Sequence, residues 1–375
     1  MATYYVKSAG GSGSGLNDSE AWSFAKLNST SLISGDVILF NKGDVFYGEL
    51  ISRTGVTYST YGTGANPKIT GLTELTSWTL SSGNIYYATL NVPMLNMVTL
   101  NDVVKGMGRF PKTGYLPYTS HSNNTAITGA TIGTLPFDAT GGEVIIRKYR
   151  WVLDRHPITL HSGNTLTYTS ANTYGNSGAY NPVDGNGYFI QNHLGTLTEL
   201  GDWYYDITAM RFYMHFGNGT PTDKTVKVSA IDKNVQINTK NTIGFTNIDF
   251  EGGNTQGVYI LGSTNITFTN CNVTKQGGNG IYGNNVTGLS VVGGSVIDIL
   301  NSGVHVEILG NTTLIDGVTV TNIGAIAGAG RSGDSSYSGI NINGANTTIA
   351  NNSVFNIGYN GINFKGSNAL VELNN

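Results

Sequence analysis

One short phrase recurs through the last third of the chain and limits the possible folds more than any other feature. It begins with glycine at positions 257, 280, 303, 339 and 361, where the sequence reads GVYIL, GIYGN, GVHVE, GININ and GINFK. The spacings are 23, 23, 36 and 22 residues. A second set of positions has spacings of 23, 23, 23 and 35: Asn247, Asn270, Gly293, Asp316 and Asn351. Two independent sets with one period, interrupted by one insertion, indicate a solenoid.

A period of 22–23 residues without helical periodicity predicts one turn of a parallel β-helix, with three short strands and three corners. In each phrase the second and fourth positions are expected to face inward: Val258, Ile260, Ile281, Val304, Val306, Ile340, Ile342, Ile362 and Phe364. The leading glycine suits a corner that needs an unusual φ. The second set suits a polar ladder, in which stacked side chains satisfy backbone groups of neighbouring coils.

The composition also favours strands and turns over helices. Charged residues make up 11% of the chain, and 52 of its 375 residues are glycine. Only residues 20–29 have a helical pattern, and we expect a short helix there that caps the stack. The single Cys271 excludes an intrachain disulfide, and its place in the repeat predicts a buried free thiol.

Three regions are expected. Residues 1–71 would form the N-terminal cap and the first coils, and residues 226–375 the regular coils. Residues 72–225 lack the period, but they alternate strongly at 142–153 and 202–216, which predicts an inserted or flanking β-rich subdomain with antiparallel strands. The alternative is a set of irregular coils with long loops. The last coil is incomplete at Asn375, so we expect the chain to continue or a further domain or subunit to cover this end.

Several functional classes are disfavoured by the sequence. A net charge of −3 lacks the basic stripe of a nucleic-acid-binding protein. No apolar run approaches 18 residues, so no membrane span is expected. Histidines and the lone cysteine are not spaced as metal ligands, and no phosphate-binding glycine loop or serine nucleophile elbow is present.

Several phrases outside the repeat resemble one group of proteins: GDVILFNKGDVF at 35–46, YGTGANPKITG at 61–71, MGRFP at 107–111, GYFIQN at 187–192 and GDWYYD at 201–206. Together with the repeat, they resemble secreted bacterial proteins of the pectin-lyase-like superfamily that are associated with polysaccharide breakdown. The resemblance implies an all-β, right-handed parallel β-helix located outside the cell or on its surface. It does not imply one activity, because the superfamily includes lyases, hydrolases, epimerases and non-catalytic adhesins or phage spikes.

The outward positions of the repeated strand form two columns: Tyr259, Tyr282, His305, Asn341 and Asn363, and Leu261, Asn284, Glu307, Asn343 and Lys365. Neighbours in a column lie about 4.8 Å apart. We call the middle of this surface the polar patch: Tyr282, Asn284, His305, Glu307, Asn341, Asn343 and Lys365. The insertion, about residues 325–337, precedes the fourth copy of the strand, and its Arg331 and Asp334 could lean over the patch. In the resembled proteins, long loops beside this sheet wall the sugar-binding groove.

These positions supply the candidate residues. The candidate catalytic residues are His305, Glu307, Lys365 and Asp334. The candidate substrate-binding residues are Tyr259, Tyr282, Asn284, Arg331, Asn341 and Asn343. The simpler alternative is a solvated outer face, with the two tyrosines as an aromatic ladder that stabilises the sheet.

Three functions remain open for a polysaccharide or oligosaccharide partner. A lyase needs a cation to neutralise a uronate and a base, which Arg331, Lys365 and His305 could supply. A glycoside hydrolase needs two carboxyl groups about 5–10 Å apart, for which Glu307 and Asp334 are the evident pair. The third is a non-catalytic glycan-binding adhesin, surface protein or phage tail protein. No cofactor is expected. Calcium is the weaker alternative, because a calcium-assisted lyase needs a cluster of carboxylates and the patch offers only Glu307, with Asp334 as a possible second.

Overall fold

A computed structural model describes residues 1–170 and 180–375, apart from the side chains of two residues, 308 and 309. The chain forms two compact units. The first contains Met1–Thr73, Ser229–Ala325 and Tyr337–Asn375, and the second contains Glu74–Val228 and Ile326–Ser336. Among the described residues, no helix is long and apolar enough to cross a membrane.

Successive copies of the repeated strand lie side by side in the first unit. Val258 pairs with Ile281, Ile281 with Val304, Val304 with Ile340 and Ile340 with Ile362, all in parallel strands. The 22–23-residue period is therefore the length of one coil. This confirms the predicted all-β, right-handed parallel β-helix.

The strands of the first unit fall into two sheets. The larger sheet has 14 strands because Val304–Asp316 and Ile340–Ala350 continue through a corner and join two faces of the coil. Its strands are Thr3–Gly11, Val37–Asn41, Leu50–Ile51, Thr57–Tyr61, Lys233–Asn238, Asn241–Thr246, Gln256–Leu261, Thr264–Thr269, Asn279–Asn284, Thr287–Val292, Val304–Asp316, Ile340–Ala350, Ile362–Lys365 and Ala369–Glu372. The smaller sheet contains Val45–Tyr47, Lys68–Thr70, Asp249–Glu251, Asn272–Gln276, Ser295–Ile299, Thr319–Ile323 and Ser353–Ile357.

The predicted inward residues form the core of these coils. Val258, Ile260 and Val304 are fully buried, and Ile362 and Phe364 pack against the same cluster while half-buried. Each fully buried aliphatic side chain stabilises the fold by about 1.5–3 kcal/mol. Cys271 lies in this core as a free thiol, as its position in the repeat predicted.

The leading glycines have a different role from the predicted one. None of the five has a positive φ. The first four are needed because the coils approach closely: a Cβ on Gly303 would lie 2.5 Å from the carbonyl oxygen of Gly339 and 3.0 Å from Cγ1 of Val320. The same restriction applies to Gly280, where a Cβ would lie 2.6 Å from the oxygen of Gly303. Steric contact between coils therefore explains the first four glycines of the column, and Gly361 lacks this contact.

Replacing Gly303 by alanine is expected to destabilise the first unit by about 1–3 kcal/mol, the usual cost of overpacking. Gly361 is the matched control, since its Cβ would meet only Val354 Cγ1 at 3.7 Å and should be tolerated. Urea unfolding of Gly303→Ala and Gly361→Ala measures the difference. Equal stabilities of the two variants would contradict the steric explanation.

The second set of positions is the one that needs unusual φ. Asn247, Asn270, Gly293 and Asn351 have φ between 51° and 65°, a left-handed conformation that asparagine and glycine tolerate. The expected side-chain ladder occurs between Asn351 and Asp316, whose Nδ2 and Oδ1 atoms lie 2.7 Å apart. A buried amide ladder lies elsewhere in the coil, where Gln276 donates to Asn234 at 3.0 Å and Asn301 to Asn279 at 2.7 Å.

The N-terminal helix is shorter than predicted. A 3-10 turn spans Asp18–Glu20 and the α-helix spans only Phe24–Ser29, with Leu27 buried. The Ser23 side chain accepts a hydrogen bond from the backbone N–H of Lys26 and caps the helix. Trp22 lies before the helix in extended backbone and stacks on Tyr4, with ring centroids 4.1 Å apart.

The second unit is built from antiparallel strands, as the alternation at 142–153 and 202–216 predicted. One sheet contains Arg109–Phe110, Leu116–Pro117, Ser120–Ser122, Ala126–Thr128, Glu143–Tyr149, Val152–Ser162, Thr165–Tyr168 and Gly187–Gln191, and another contains Thr79–Ser82, Ile85–Thr89, Trp203–Asp206 and Arg211–His215. Val98–Leu100 pairs with Val103–Val104 and Val226–Ser229, and the strand Leu72–Glu74 lies at the unit boundary. Short helical turns occur at Ala130–Gly133, Leu194–Thr196 and Pro221–Asp223.

Candidate functional site

The register of the coils places the first column as the sequence predicted. Tyr259 pairs with Tyr282, Tyr282 with His305, His305 with Asn341 and Asn341 with Asn363. The second column is continuous at its two ends, where Leu261 pairs with Asn284 and Asn343 with Lys365. Between them the ladder shifts register after Val306. Glu307 therefore lies at a strand irregularity, a feature that can redirect a side chain.

The centre of the polar patch is buried. Tyr282 is 7%, His305 6% and Asn341 5% exposed, although all three occupy outward positions of the coil. The alternative of a simply solvated face is therefore wrong for these three residues. Buried polar side chains are stable only when their polar atoms are hydrogen-bonded, so the geometry around them is specific.

Glu307 is held by two side chains of the adjacent strand Asn279–Asn284 and lies near one histidine of its own strand. Tyr282 Oη donates to Glu307 Oε2 at 2.5 Å, and Asn284 Nδ2 lies 3.4 Å from the same oxygen. His305 Nε2 lies 3.8 Å from the other oxygen, Oε1. The Glu307 side chain is 34% exposed, so its carboxylate is oriented by protein donors and still reaches solvent.

His305 Nε2 has two polar neighbours, of which one is a hydrogen-bond donor and the other an acceptor. It lies 3.4 Å from Asn341 Nδ2 and 3.8 Å from Glu307 Oε1. In a neutral imidazole with the proton on Nδ1, Nε2 can accept a hydrogen bond from the Asn341 amide. In the imidazolium form, Nε2 carries a proton that faces the carboxylate. Nε2 of His305 therefore lies between an amide and a carboxylate.

The two tyrosines form an aromatic ladder. Tyr259 and Tyr282 stack with ring centroids 5.4 Å apart and planes 8° apart, and Tyr282 meets the His305 ring edge to face at 5.7 Å. The Lys233 ammonium lies 5.2 Å from the centroid of Tyr259. This geometry favours the structural explanation of the tyrosines over sugar-stacking platforms. The sequence did not reveal that Tyr282 donates to Glu307, a contact between diagonal neighbours.

The remaining candidates have different surroundings. Asn363 donates to Asn341 Oδ1 at 2.9 Å, and Lys365 is exposed at the edge of the patch. Arg331 and Asp334 belong to the second unit. There Tyr180 Oη donates to the exposed Asp334 carboxylate at 2.5 Å, and this hydrogen bond raises the pKa of Tyr180.

Metal ligands do not cluster in the part of the chain that the structure describes: no group of three histidine, cysteine, aspartate or glutamate side chains is placed to hold an ion. The polar patch instead combines one carboxylate with a phenol, an imidazole, amides and, at its edge, the ammonium group of Lys365. These groups can transfer protons and bind hydroxyl groups without an ion.

Comparisons with known proteins show similarity at the level of fold. No family model and no curated protein sequence matches the chain. A structure described as a glycoside hydrolase aligns with a TM-score of 0.76 and 12% identity, covering 98% of this chain and 80% of that one. XylC in complex with xylose aligns with a TM-score of 0.50 and 11% identity, covering 99% of this chain and 65% of that one. The GH136 lacto-N-biosidase from Eubacterium ramulus aligns with a TM-score of 0.44 and 12% identity, covering 99% of this chain and 55% of that one.

This chain thus spans less than two thirds of the second and third structures. At such low sequence identity the likeness concerns the fold alone. The fold is the right-handed parallel β-helix of the pectin-lyase-like proteins.

Proposed function

We propose that this protein is a carbohydrate-active enzyme that hydrolyses glycosidic bonds in a polysaccharide bound along the polar patch. The observation that carries the proposal is the Glu307 carboxylate, which Tyr282 and Asn284 orient at one oxygen while a third of the side chain stays exposed. A carboxyl group that is held in place and accessible is suited to general acid–base chemistry on a glycosidic oxygen or a water.

The immediate surroundings of Glu307 favour a neutral sugar over a uronate. Its neighbours in hydrogen-bond contact are a phenol and an amide, both uncharged. A uronate carboxylate placed beside Glu307 would face a like charge, whereas a lyase needs a cation at that point. This is why we favour hydrolysis over the lyase reaction. The likeness of fold to a glycoside hydrolase is compatible with this choice.

The residues would then have distinct roles. Glu307 would transfer the proton, the buried Asn341 would position the His305 imidazole, and the half-buried Asn343 would bind sugar hydroxyl groups. Glycoside hydrolysis requires a second carboxyl group, and Asp334, the residue that the sequence suggested for it, belongs to the second unit. The resemblance to secreted bacterial β-helix proteins supports an activity in the extracellular space or on the cell surface.

The reaction type can be tested with a panel of neutral and uronate-containing polysaccharides. New reducing ends without an unsaturated, ultraviolet-absorbing product are expected from the neutral members. Unsaturated uronate products would show a lyase and overturn the hydrolase proposal. Binding without either product would favour a non-catalytic glycan-binding protein. Heat-denatured protein is the control for contaminating activity.

A further inference from the structure

A second concave surface, in the second unit, has the chemistry of a saccharide site. This Trp78 cleft encloses about 490 Å³, and six of its lining residues matter here: Glu74, Trp78, Tyr86, Thr220, Thr222 and Lys224. Its volume is within the range of small-molecule sites, about 300–1,000 Å³. The residues come from the hairpin that contains Thr79–Ser82 and Ile85–Thr89, from the segment before it, and from the turn around Pro221–Asp223.

The aromatic wall of the Trp78 cleft is fixed by packing beneath it. Trp78 and Tyr86 both contact Phe216 edge to face, with centroids 5.0 Å and 5.6 Å apart. Trp78 Nε1 donates to the carbonyl oxygen of Leu75 at 2.9 Å. Both rings are nevertheless half-exposed. A rigid and accessible indole–phenol pair suits the C–H face of a sugar ring, since amphipathic aromatic rings combine apolar contact with a polar edge.

The rim of the Trp78 cleft is polar. The Thr220 and Thr222 hydroxyl groups are 2.7 Å apart on exposed residues, and they can bind sugar hydroxyl groups as donors or acceptors. Lys224 Nζ lies 2.6 Å from Asp223 Oδ2, so its charge is largely neutralised. The lining carries one carboxylate, on the exposed Glu74, and one ammonium group, on Lys224, so the cleft has no net positive charge. This balance disfavours an anionic ligand.

We propose that the Trp78 cleft is a second, non-catalytic binding site for a neutral saccharide unit. The identity of the ligand class rests on the proposed function, because a polysaccharide is the partner that would present sugar rings to both units. The cleft itself is inferred from its own geometry: an aromatic wall for the ring face, hydroxyl groups for its edge, and no net positive charge for a uronate.

The test uses Glu307→Gln protein, in which bound sugars stay intact, and calorimetric titration. The neutral probes are cellohexaose, xylohexaose and mannohexaose, and the anionic probe is trigalacturonate. Thr222→Trp fills the cleft from an exposed position without removing packed residues. Ser81→Trp is the matched control, since it adds the same indole at an exposed position outside the cleft. Thermal unfolding verifies that both variants fold.

The expected result is that a neutral hexaose binds the Ser81→Trp protein as it binds the parent. Thr222→Trp should weaken that binding about tenfold or abolish one of two binding events, because the added indole would block access of the sugar to the Trp78 and Tyr86 rings. Equal binding by both variants would overturn the proposal, as would failure of every neutral probe to bind the control. Preference for trigalacturonate would also overturn it, because the rim excludes a uronate in our account.

The two proposals fail in different measurements. Turnover by the protein with native Glu307 tests the catalytic proposal, and binding by Thr222→Trp tests the cleft. If turnover depends on Glu307 but binding is insensitive to Thr222→Trp, the cleft proposal is wrong and the catalytic one stands. If binding falls in Thr222→Trp while no reducing ends form, the cleft is a saccharide site and the catalytic proposal is wrong.

Discussion

Replacing Glu307 by glutamine is expected to lower kcat on the cleaved polysaccharide by about 10²–10⁴-fold, the usual contribution of a positioned general acid or base. Glutamine keeps the shape of the side chain and can still meet the Tyr282 hydroxyl and the Asn284 amide. It cannot transfer a proton. The loss should therefore appear in kcat, while KM and the thermal unfolding temperature change little. Reducing-end assays on purified variants measure the effect.

Glu372→Gln is the matched control. Glu372 is an exposed glutamate on Ala369–Glu372, a strand of the same sheet, and it has no part in the proposed site. Tyr282→Phe gives an intermediate test, because it removes the donor to Glu307 Oε2 but leaves the carboxyl group in place. We expect a smaller loss of kcat and a shift of the pH–rate profile. Glu307→Gln protein that retains a tenth or more of native kcat would show that the catalytic group lies elsewhere.

The architecture of the first unit was predictable because two constraints coincide. The 23-residue period sets which residues stack in successive coils, and the alternation of strands sets which of them face inward. The sequence alone was therefore enough to assign Val258 to the core and His305 to the outer face of the coil. The role of the leading glycines was less accessible, since an unusual φ and a close backbone approach both select glycine. The structure shows that close backbone approach is the reason at Gly303, because a Cβ there would collide with the carbonyl oxygen of Gly339 on the next coil.

The candidate site was predictable in position but not in detail. The columns place Tyr282 and Glu307 on adjacent strands, but the hydrogen bond between them joins diagonal neighbours, a contact that the repeat pattern does not specify. The burial of His305 is also absent from the local pattern, because an outward position on a β-helix is ordinarily solvated. Side-chain burial depends on the tertiary surroundings, and strand periodicity does not encode them.

For the second unit, the sequence predicted only the class of structure, an antiparallel β-rich subdomain. Its antiparallel strands could be inferred from alternation, but their partners are distant in sequence: Arg109–Phe110 pairs with Gly187–Gln191. Without a period, nothing in the sequence links such segments. The Trp78 cleft was missed for this reason, since Trp78 and Thr222 lie more than a hundred residues apart and share no motif.

His156 should make the second unit sensitive to acid. Its side chain is fully buried, stacks on Tyr168 with centroids 4.6 Å apart, and places Nδ1 3.0 Å from the carbonyl oxygen of Thr169. Burial, helped by the nearby Lys148 ammonium, lowers the pKa of His156 from 6.5 to about 3. Between these two values the unfolded chain binds a proton that the folded chain excludes. The contribution of His156 to stability is therefore complete above pH 6.5 and decreases as the pH falls toward 3.

The expected loss from this single group is about 2 kcal/mol between pH 6.5 and pH 4.5, since each pH unit well below the unfolded pKa costs about 1.4 kcal/mol. His156→Asn removes the titration and can keep the hydrogen bond to Thr169. The free energy of unfolding, measured in urea across this range, should thus fall less steeply in the variant than in the native protein.

The neighbouring ion pair does not produce the same signal. Lys148 Nζ lies 2.7 Å from Asp154 Oδ2, and both side chains are fully buried. Burial lowers the pKa of Lys148 and raises that of Asp154. Protonation of folded Asp154 would stabilise the protein as the pH falls, which is opposite in sign to the effect of His156. Because the pair is present in both proteins, the difference between their pH slopes isolates His156. An equally steep slope in His156→Asn would show that this imidazole is protonated in the folded state.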